Sequence, residues 1–223
     1  MRSKLAAVIK AAAHDYQPPP DCPRCPRLAD FRHRNRICFP EFFNDPVPSF
    51  GSLDARLLIV GLAPGLKGAN KTGRPFTGDY AGELLYGALR RLGLAAGDYR
   101  ARPDDGLILN GVRISNAVRC VPPGNKPLPD EINACRTFLV AEIAAMPNLA
   151  AILTLGQIAH QSVVTALKLK RKDHAFAHGA QYRAANLALI ASYHCSRYNT
   201  STGVLTAAMF DSALGAAKTA AGL

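Results

Sequence analysis

The segment "ARLLIVG", from Ala55 to Gly61, is a nearly continuous apolar run that ends at a glycine. It constrains the fold more than any other stretch of the chain. A strand with one face in water alternates polar and apolar residues, so an unbroken run predicts a strand buried on both faces. Strands of this kind are typical of parallel sheets that are covered by helices.

Further strands and helices follow this segment in alternation. Apolar runs predict strands at residues 112–120, 149–156 and 187–194, and helical spacing predicts helices at 81–94, 128–146, 157–168 and 206–220. The alternation predicts the α/β class. We expect a three-layer α/β/α sandwich with a central, mainly parallel, four-stranded sheet.

The chain length is consistent with one domain over residues 1–223. The chain has 223 residues, of which 48% are hydrophobic, enough for one sizeable core. The first 16 residues read as an amphipathic helix, without the cleavage site of a signal peptide. The Cys- and Pro-containing segment that follows, to about residue 50, reads as an ordered loop or arm.

The position of a ligand site follows from the predicted sheet. Ligands of parallel sheets bind beyond the carboxyl ends of the strands. The four predicted strands end in the loops "GLAPG", "SNAVRC", "LGQ" and "SYHCSRYN". We expect these loops to converge on one site.

The first of these loops comes close to a nucleotide-binding P-loop. "GLKGANKT" supplies Gly65, Lys71 and Thr72, but Asn70 stands where the motif needs its second glycine. "GRPFTGD" then follows where a P-loop would continue as a helix, and no predicted strand ends in the aspartate that would hold magnesium. A P-loop NTPase is therefore the weakest functional hypothesis.

The charge of the chain indicates a polyanionic partner. Lys and Arg total 27 against 16 Asp and Glu, a formal net charge of +11. Nucleic acid is the commonest partner of so basic a protein, and the Arg-rich arm from Arg24 to Arg36 predicts phosphate contacts. A basic protein without such a partner is the alternative. No segment approaches the roughly 18 apolar residues of a membrane span, so we expect a cytoplasmic protein. We also expect a monomer.

Three separated motifs, in order, carry a family resemblance. "GLAPGLKGANKTGRPFTGDYAG" resembles motif A of the family 5, or type B, uracil-DNA glycosylases. "SYHCSRYNTSTG" resembles the family's second motif, and "SNAVRCVPPGNKPLPDEINAC" resembles the segment between them. The resemblance runs from about Cys22 to Phe210.

The resemblance implies a DNA repair enzyme of bacterial or archaeal type, associated with the nucleoid. It would hydrolyse the N-glycosidic bond of uracil in double- or single-stranded DNA and leave an abasic site. Hypoxanthine, xanthine and some modified cytosines are further expected substrates. Such an enzyme must first take the base out of the stack.

The resemblance also implies a [4Fe–4S] cluster held by Cys22, Cys25, Cys120 and Cys135. Four thiolates are the usual complement of that cluster, although zinc also accepts four thiolates. Two of the six cysteines remain. We expect Cys38 to be a small core residue. Cys195 replaces the family's proline after the motif histidine, which would either loosen that loop or leave a reactive thiol.

The motifs assign the base-binding residues. The backbone at Gly61, Ala63, Pro64 and Gly65 is expected to face a planar ligand. Two side chains join that backbone. Phe76 is a stacking platform or a core residue, and Asn116 either reads a base edge or caps a turn.

Catalysis is assigned to two residues. His194 would donate a hydrogen bond to the base as negative charge develops. Asp79 is the nearest carboxylate for water activation, because Leu62 stands where the related type A enzymes carry an acid; Asp79 would equally cap a helix that starts at Tyr80.

The loop after His194 is the expected DNA contact. Ser196, Arg197 and Tyr198 would contact phosphate or fill the gap left by the flipped nucleotide, with a solvated loop as the alternative. A catalytically silent iron–sulfur DNA-binding module, with Cys195 marking a decayed motif, is the second functional hypothesis.

Overall fold

The computed structural model of the protein describes residues 16–223. Its helices are α1 (Pro26–Cys38), α2 (Ala69–Thr72), α3 (Tyr80–Arg91), α4 (Pro129–Ala145), α5 (Gln157–Ala166), α6 (Arg197–Ser201) and α7 (Ala207–Ala221). Its strands are β1 (Leu57–Gly61), β2 (Ala95–Ala96), β3 (Ile108–Leu109), β4 (Val112–Asn116), β5 (Ala151–Leu155), β6 (Gln181–Ala184) and β7 (Leu187–Ser192). The helix predicted for residues 1–16 falls almost entirely outside the described residues.

The central sheet has five strands in the order β4-β1-β5-β7-β6. The four predicted strands are confirmed as β4, β1, β5 and β7, which are all parallel. The predicted number of four was wrong, because β6 adds an antiparallel edge next to β7. Strand β6 is the short, polar sequence "QYRA", whose residues are exposed or half-buried in alternation, so it lacks the apolar run that marks the inner strands.

The sheet separates two hydrophobic layers, as the sandwich requires. Alternate residues of β1 point to opposite faces. Leu57 and Ile59 belong to one buried cluster with residues of α3 and α7. Leu58 and Val60 belong to the other, with residues of α4 and α5. Both faces of β1 are therefore in the core, as the apolar run predicted.

The arm predicted as an ordered loop contains a helix. Pro26 occupies the first turn of α1, where a proline costs no hydrogen bond. The arginines of this segment bond to the protein itself: Arg27 pairs with Glu131, and Arg36 pairs with Asp45. These two side chains therefore fasten α1 to the rest of the chain, and phosphate contact by the arm stays a prediction.

The carboxylate of Glu142, on α4, holds the most buried charge network. One of its oxygens accepts a hydrogen bond from Arg113 Nε at 2.6 Å, and the other accepts from Arg119 Nη2 at 2.6 Å and Ser115 Oγ at 2.7 Å. Burial alone raises the pKa of a carboxyl group, but the two arginines offset this and hold the pKa of Glu142 below its usual value. The network ties α4 to β4 and to the loop that follows it.

Replacing Glu142 with Gln should destabilise the protein by about 3–5 kcal/mol, because two buried guanidinium groups lose their counter-charge. Chemical denaturation would measure the change. The matched control is Asp104→Asn, which removes the carboxylate of an exposed ion pair with Arg102. Surface pairs contribute little, so the control should unfold at the same denaturant concentration as the wild type. Equal stability of Glu142→Gln and the wild type would contradict this account.

Across residues 16–223, no helix has the length and apolarity that crossing a bilayer requires.

Candidate active site

The predicted convergence of strand-end loops is confirmed at the carboxyl edge of the sheet. Gly61 ends β1 and pairs in register with Asn116, which ends β4. A side chain at Gly61 would lie 2.5 Å from Asn116 Oδ1 and 2.8 Å from Cε2 of Phe76. Only a residue without a side chain leaves room for both groups. Gly61 therefore shapes the site by the space that it leaves.

Phe76 has a strained backbone and a ring directed into the site. Its φ is 53°, a left-handed backbone conformation that residues other than glycine rarely adopt. The ring is 7% exposed, and its centroid lies 6.0 Å from that of His194, with the planes 29° apart. The ring is therefore fixed at the floor of the site, as a stacking platform requires.

Arg74 holds the turn that carries Phe76. Its guanidinium forms a two-bonded ion pair with the buried carboxylate of Asp105, at 2.8 and 2.7 Å, and its Nε donates to Thr77 Oγ1 at 2.8 Å. The guanidinium also lies over the ring of Tyr86 at 5.3 Å. This pairing holds the pKa of Asp105 well below its usual range, so the carboxylate stays charged.

Two tyrosines complete this support, and sequence reasoning missed them together with Arg74 and Asp105. The hydroxyl of Tyr86 donates to the carbonyl of Pro75 at 2.6 Å, and that of Tyr99 donates to the carbonyl of Phe76 at 3.4 Å. The helical spacing of α3 marks Tyr86 only as a core residue. Nothing in the polar sequence around Asp105 indicates burial.

Asn116 has a buried amide oxygen that no protein group satisfies. The residue is 3% exposed, and Asn116 Oδ1 has no hydrogen-bond partner among the described residues. An orphaned buried acceptor costs free energy unless a ligand or water satisfies it. In the predicted turn cap, a backbone N–H would donate to this oxygen. The unpaired oxygen therefore favours the interpretation that Asn116 binds a ligand.

Asp79 caps a helix, and its carboxylate also faces the site. Its Oδ1 accepts a hydrogen bond from the backbone N–H of Gly82 at 3.1 Å, which confirms the predicted cap of α3. A side chain at Gly65 would lie 3.4 Å from the other oxygen, Oδ2, and one at Gly68 would lie 3.0 Å from Asp79 Cγ. The glycines therefore let the loop approach the carboxylate closely.

His194 follows β7 and is half-buried. The side-chain nitrogen Nδ2 of Asn199 donates to the backbone carbonyl of His194 at 2.8 Å, which fixes the loop. Burial lowers the pKa of His194, and the nearby carboxylate of Asp79 partly opposes this. The net lowering keeps the imidazole neutral at neutral pH, with one N–H to donate.

These residues enclose an inner recess and an outer cleft. The recess is lined by Ala63, Pro64, Gly65, Ala69, Phe76, Asp79, Ala81, Asn116 and His194. The outer cleft has a volume of about 490 Å³ and is lined by Leu62, Ala63, Gly65, Asp79, Tyr80, Ala81, Asn125, His194, Ser196 and Arg197. The predicted base-binding and catalytic residues thus meet in one place.

Two of the three predicted DNA-contacting residues, Ser196 and Arg197, line this cleft, and Tyr198 follows them in the chain. The hydroxyl of Ser196 caps α6 by accepting from the N–H of Asn199, and the guanidinium of Arg197 lies 5.3 Å from the ring centroid of Tyr80. Tyr198 is 73% exposed, so its ring makes little contact with the rest of the fold. Such exposure leaves the ring available to a ligand.

The site contradicts a reactive thiol at Cys195. The side chain is fully buried and its sulfur lies 3.5 Å from the carbonyl of Ala81. Burial, and next the charge of Asp79, raise the pKa of this thiol, so it stays protonated and unreactive. Cys195 packs below an intact His194 loop and gives no support to a decayed motif.

The loop after β1 is not a phosphate-binding loop. Asn70, at the deviating position, is buried and donates to Asn44 Oδ1 at 2.9 Å. Helix α2 has four residues and ends at Gly73, whose φ is 75°. Lys71 is exposed and lies over the ring of Phe42 at 5.4 Å. Lys71 is thus paired with an aromatic ring, and the helix that contains it has only four residues, so this segment lacks the long helix that follows a P-loop.

A second cavity lies beside α1 and brings the four predicted ligand cysteines together. Cys22, Cys25, Cys120 and Cys135 all line it, along with Pro18, Arg24, Leu28, Arg32, Val118, Arg119 and Phe138. Burial, and then the neighbouring Cys135, raise the pKa of Cys25 to about 11. The prediction for Cys38 was wrong, because this residue is exposed at the end of α1.

The chemistry of this cavity fits an anionic iron–sulfur cluster. The backbone N–H of Arg119 donates to Cys135 Sγ at 3.3 Å, and Arg32 Nη1 donates to Cys120 Sγ at 3.5 Å. Arg32 is 5% exposed, and its Nε is buried without a partner. Within residues 16–223, no three His, Cys, Asp or Glu side chains lie close enough together to bind one metal ion.

Comparison with known families agrees with this geometry. Residues 48–218 match the model of the uracil DNA glycosylase superfamily. The match spans most of the chain and includes the recess, the cleft and the sheet. The protein therefore belongs to the uracil DNA glycosylase superfamily, as the motifs predicted.

Individual relatives give the degree of similarity. The chain is 44% identical over 208 residues to the type-5 uracil-DNA glycosylase of Thermus thermophilus, and the aligned region covers 91% of this chain and 94% of the relative. It is 40% identical over 191 residues to the type-5 enzyme of Pyrobaculum aerophilum, with 83% of each chain covered. The type-4 uracil-DNA glycosylase of Archaeoglobus fulgidus is 32% identical over 154 residues, covering 66% of this chain and 69% of the relative.

Proposed function

We propose that this protein is a type-5 uracil-DNA glycosylase that hydrolyses the N-glycosidic bond of uracil in DNA and leaves an abasic site. The observation that carries the proposal is the recess below Gly61, where an aromatic platform, an orphaned amide oxygen and a neutral histidine meet. The names and coverage of the type-5 relatives support the same activity.

In this proposal, Phe76 and Asn116 recognise the flipped base. A base is flat and apolar on its faces, so it stacks on the ring of Phe76. Its edge carries donors and acceptors, and Asn116 Oδ1 can accept from a ring N–H of uracil. The backbone at Ala63, Pro64 and Gly65 forms the opposite wall.

His194 then stabilises the departing base. Bond cleavage leaves negative charge on the base and an oxocarbenium-like sugar. A neutral imidazole N–H donates to the base oxygen on which that charge develops, and a fixed donor of this kind acts mainly in the transition state. The hydrogen bond from Asn199 to the His194 carbonyl keeps the donor in place.

Asp79 is the proposed residue that positions the attacking water. Its Oδ1 is occupied by the helix cap, which leaves Oδ2 on the side of the glycine loop. The carboxylate lines both the recess and the outer cleft, so it can accept a proton from a water between base and solvent. Leu62 lies beside it in the cleft and supplies no second acid.

We further propose that the enzyme accepts hypoxanthine and xanthine beside uracil, because Leu62 is apolar and the cleft is wide. The proposed partner is damaged DNA, double- or single-stranded. A monomer with one domain, which works near the nucleoid in the cytoplasm, is the proposed form. The bacterial and archaeal origin of the relatives is consistent with this setting.

We also propose that Cys22, Cys25, Cys120 and Cys135 hold a [4Fe–4S] cluster. Four thiolates are the usual complement of such a cluster, and all four cysteines line one cavity. The backbone N–H of Arg119 donates to Cys135 Sγ and the Arg32 guanidinium donates to Cys120 Sγ, which supports an anionic group in the cavity. Such a cluster would link α1, α4 and the loop after β4.

Asp79→Asn tests the proposed role in water activation. Asparagine caps a helix nearly as well as aspartate, so α3 should persist. Loss of a general base costs about 10²- to 10⁴-fold in rate. Single-turnover uracil release from a duplex with a U·G pair would show this loss. The control is Asp54→Asn, an exposed aspartate just before β1 and so at the opposite edge of the sheet, which should release uracil at the wild-type rate.

A wild-type rate in Asp79→Asn would remove Asp79 from the mechanism. It would leave stabilisation of the departing base by His194 as the main source of the rate. His194→Ala, measured on the same duplex, should lose about a hundred- to a thousandfold in rate while its affinity for the DNA stays near normal.

Cys120→Ser tests the cluster. Wild-type protein purified without oxygen should be yellow-brown with about four irons, as a [4Fe–4S] cluster contains. Cys120→Ser should lose colour and iron, whereas Cys38→Ser should keep both because Cys38 lies outside the cavity. Colourless wild-type protein with one zinc per chain would refute the assignment.

A further inference from the structure

A polar groove follows the outer face of α5. Gln157, Gln161 and Val164 form one wall; their spacing of four and three residues places them on one side of the helix. Arg171, His174, Ala175 and Phe176 form the other wall. The groove has a volume of about 310 Å³ and is open to solvent.

The groove begins beside the active site. A side chain at Gly156, directly before α5, would lie 3.4 Å from Cβ of His194. Gln157 is the first residue of α5 and the first lining residue of the groove. The rise of 1.5 Å per residue places Val164 about 10 Å further along the helix axis. The groove therefore leads away from the catalytic end of the sheet.

The far end of the groove is strongly basic. The segment after α5 reads "KLKRKD", in which Lys168, Lys170, Arg171 and Lys172 are exposed and only Asp173 is acidic. Within residues 16–223, none of these five charged side chains takes part in an ion pair. Arg171 Nη2 donates to Thr165 Oγ1 at 3.1 Å, which directs the guanidinium along α5.

The arginine in the groove differs from the paired arginines elsewhere in the protein. Arg27 pairs with the carboxylate of Glu131, whereas Arg171 has no carboxylate partner among the described residues. A cluster of exposed cationic side chains without a counter-charge favours an anionic ligand.

We propose that this groove binds the sugar–phosphate backbone of the DNA strand that flanks the damaged nucleotide, with Arg171 contacting a phosphate. The proposal rests on the proposed glycosylase function, because it places the flipped base in the adjacent recess. The contacts would be independent of sequence, since phosphates carry no base information. They would hold the flanking duplex while the base occupies the recess.

The salt dependence of DNA binding tests the groove. The probe is a duplex with a stable abasic-site analogue, and fluorescence anisotropy measures its affinity at several salt concentrations. Each lost phosphate contact should lower the log–log slope by about 0.9. Arg171→Gln should therefore lose about 0.9.

The matched control is Arg102→Gln, which removes the same charge from an exposed ion pair outside the groove. Its slope should equal that of the wild type. The duplex is also shortened on one side of the abasic site at a time. The effect of Arg171→Gln should disappear when the flank that contacts the groove is removed, and it should persist when the other flank is removed. A wild-type slope in Arg171→Gln, or an equal loss in Arg102→Gln, would overturn the proposal.

Uracil release by the same wild-type preparation separates the two proposals. If uracil is released but the slopes do not change, only the groove assignment fails. If the slopes change but no uracil is released, the glycosylase proposal fails and the groove remains a DNA contact.

Discussion

The absence of a side chain at Gly61 is the constraint on which the site depends. β1 delivers this residue to the carboxyl edge of the sheet, in register with Asn116 on β4. A methyl group there would meet both the Phe76 ring and the Asn116 amide. Because the space is empty, the Phe76 ring and the Asn116 amide both reach the recess, where we propose that they bind one planar base.

The rest of the fold fixes the groups that face this space. Arg74 and Asp105 hold the turn that carries the Phe76 ring, and the buried position of this pair makes the turn rigid. On the opposite face of the sheet, Glu142 ties α4 to β4 and to the loop that carries Cys120. The cysteine cavity and the recess are thus connected through β4, which ends at Asn116.

Sequence patterns predicted the features that have one physical cause. The apolar run at residues 57–61 predicted a strand buried on both faces, and the carboxyl-edge rule located the site. Three features depend on partners that are distant in sequence, and they were missed. Strand β6 is an edge strand with exposed polar residues, and α1 is a polar helix held by Arg27 and other arginines. Asp105 is buried only because Arg74 reaches it.

The most direct test of the central claim is the rate of uracil release by Gly61→Ala under single-turnover conditions. The added methyl group should displace Phe76 and Asn116, and a misplacement of about 1 Å costs about a hundredfold in rate. Gly87→Ala is the matched control, because its added methyl group meets only the flexible end of Arg91 at 3.3 Å. The account predicts a rate loss of about a hundredfold for Gly61→Ala and a wild-type rate for Gly87→Ala. A folded Gly61→Ala protein that releases uracil at the wild-type rate would contradict it.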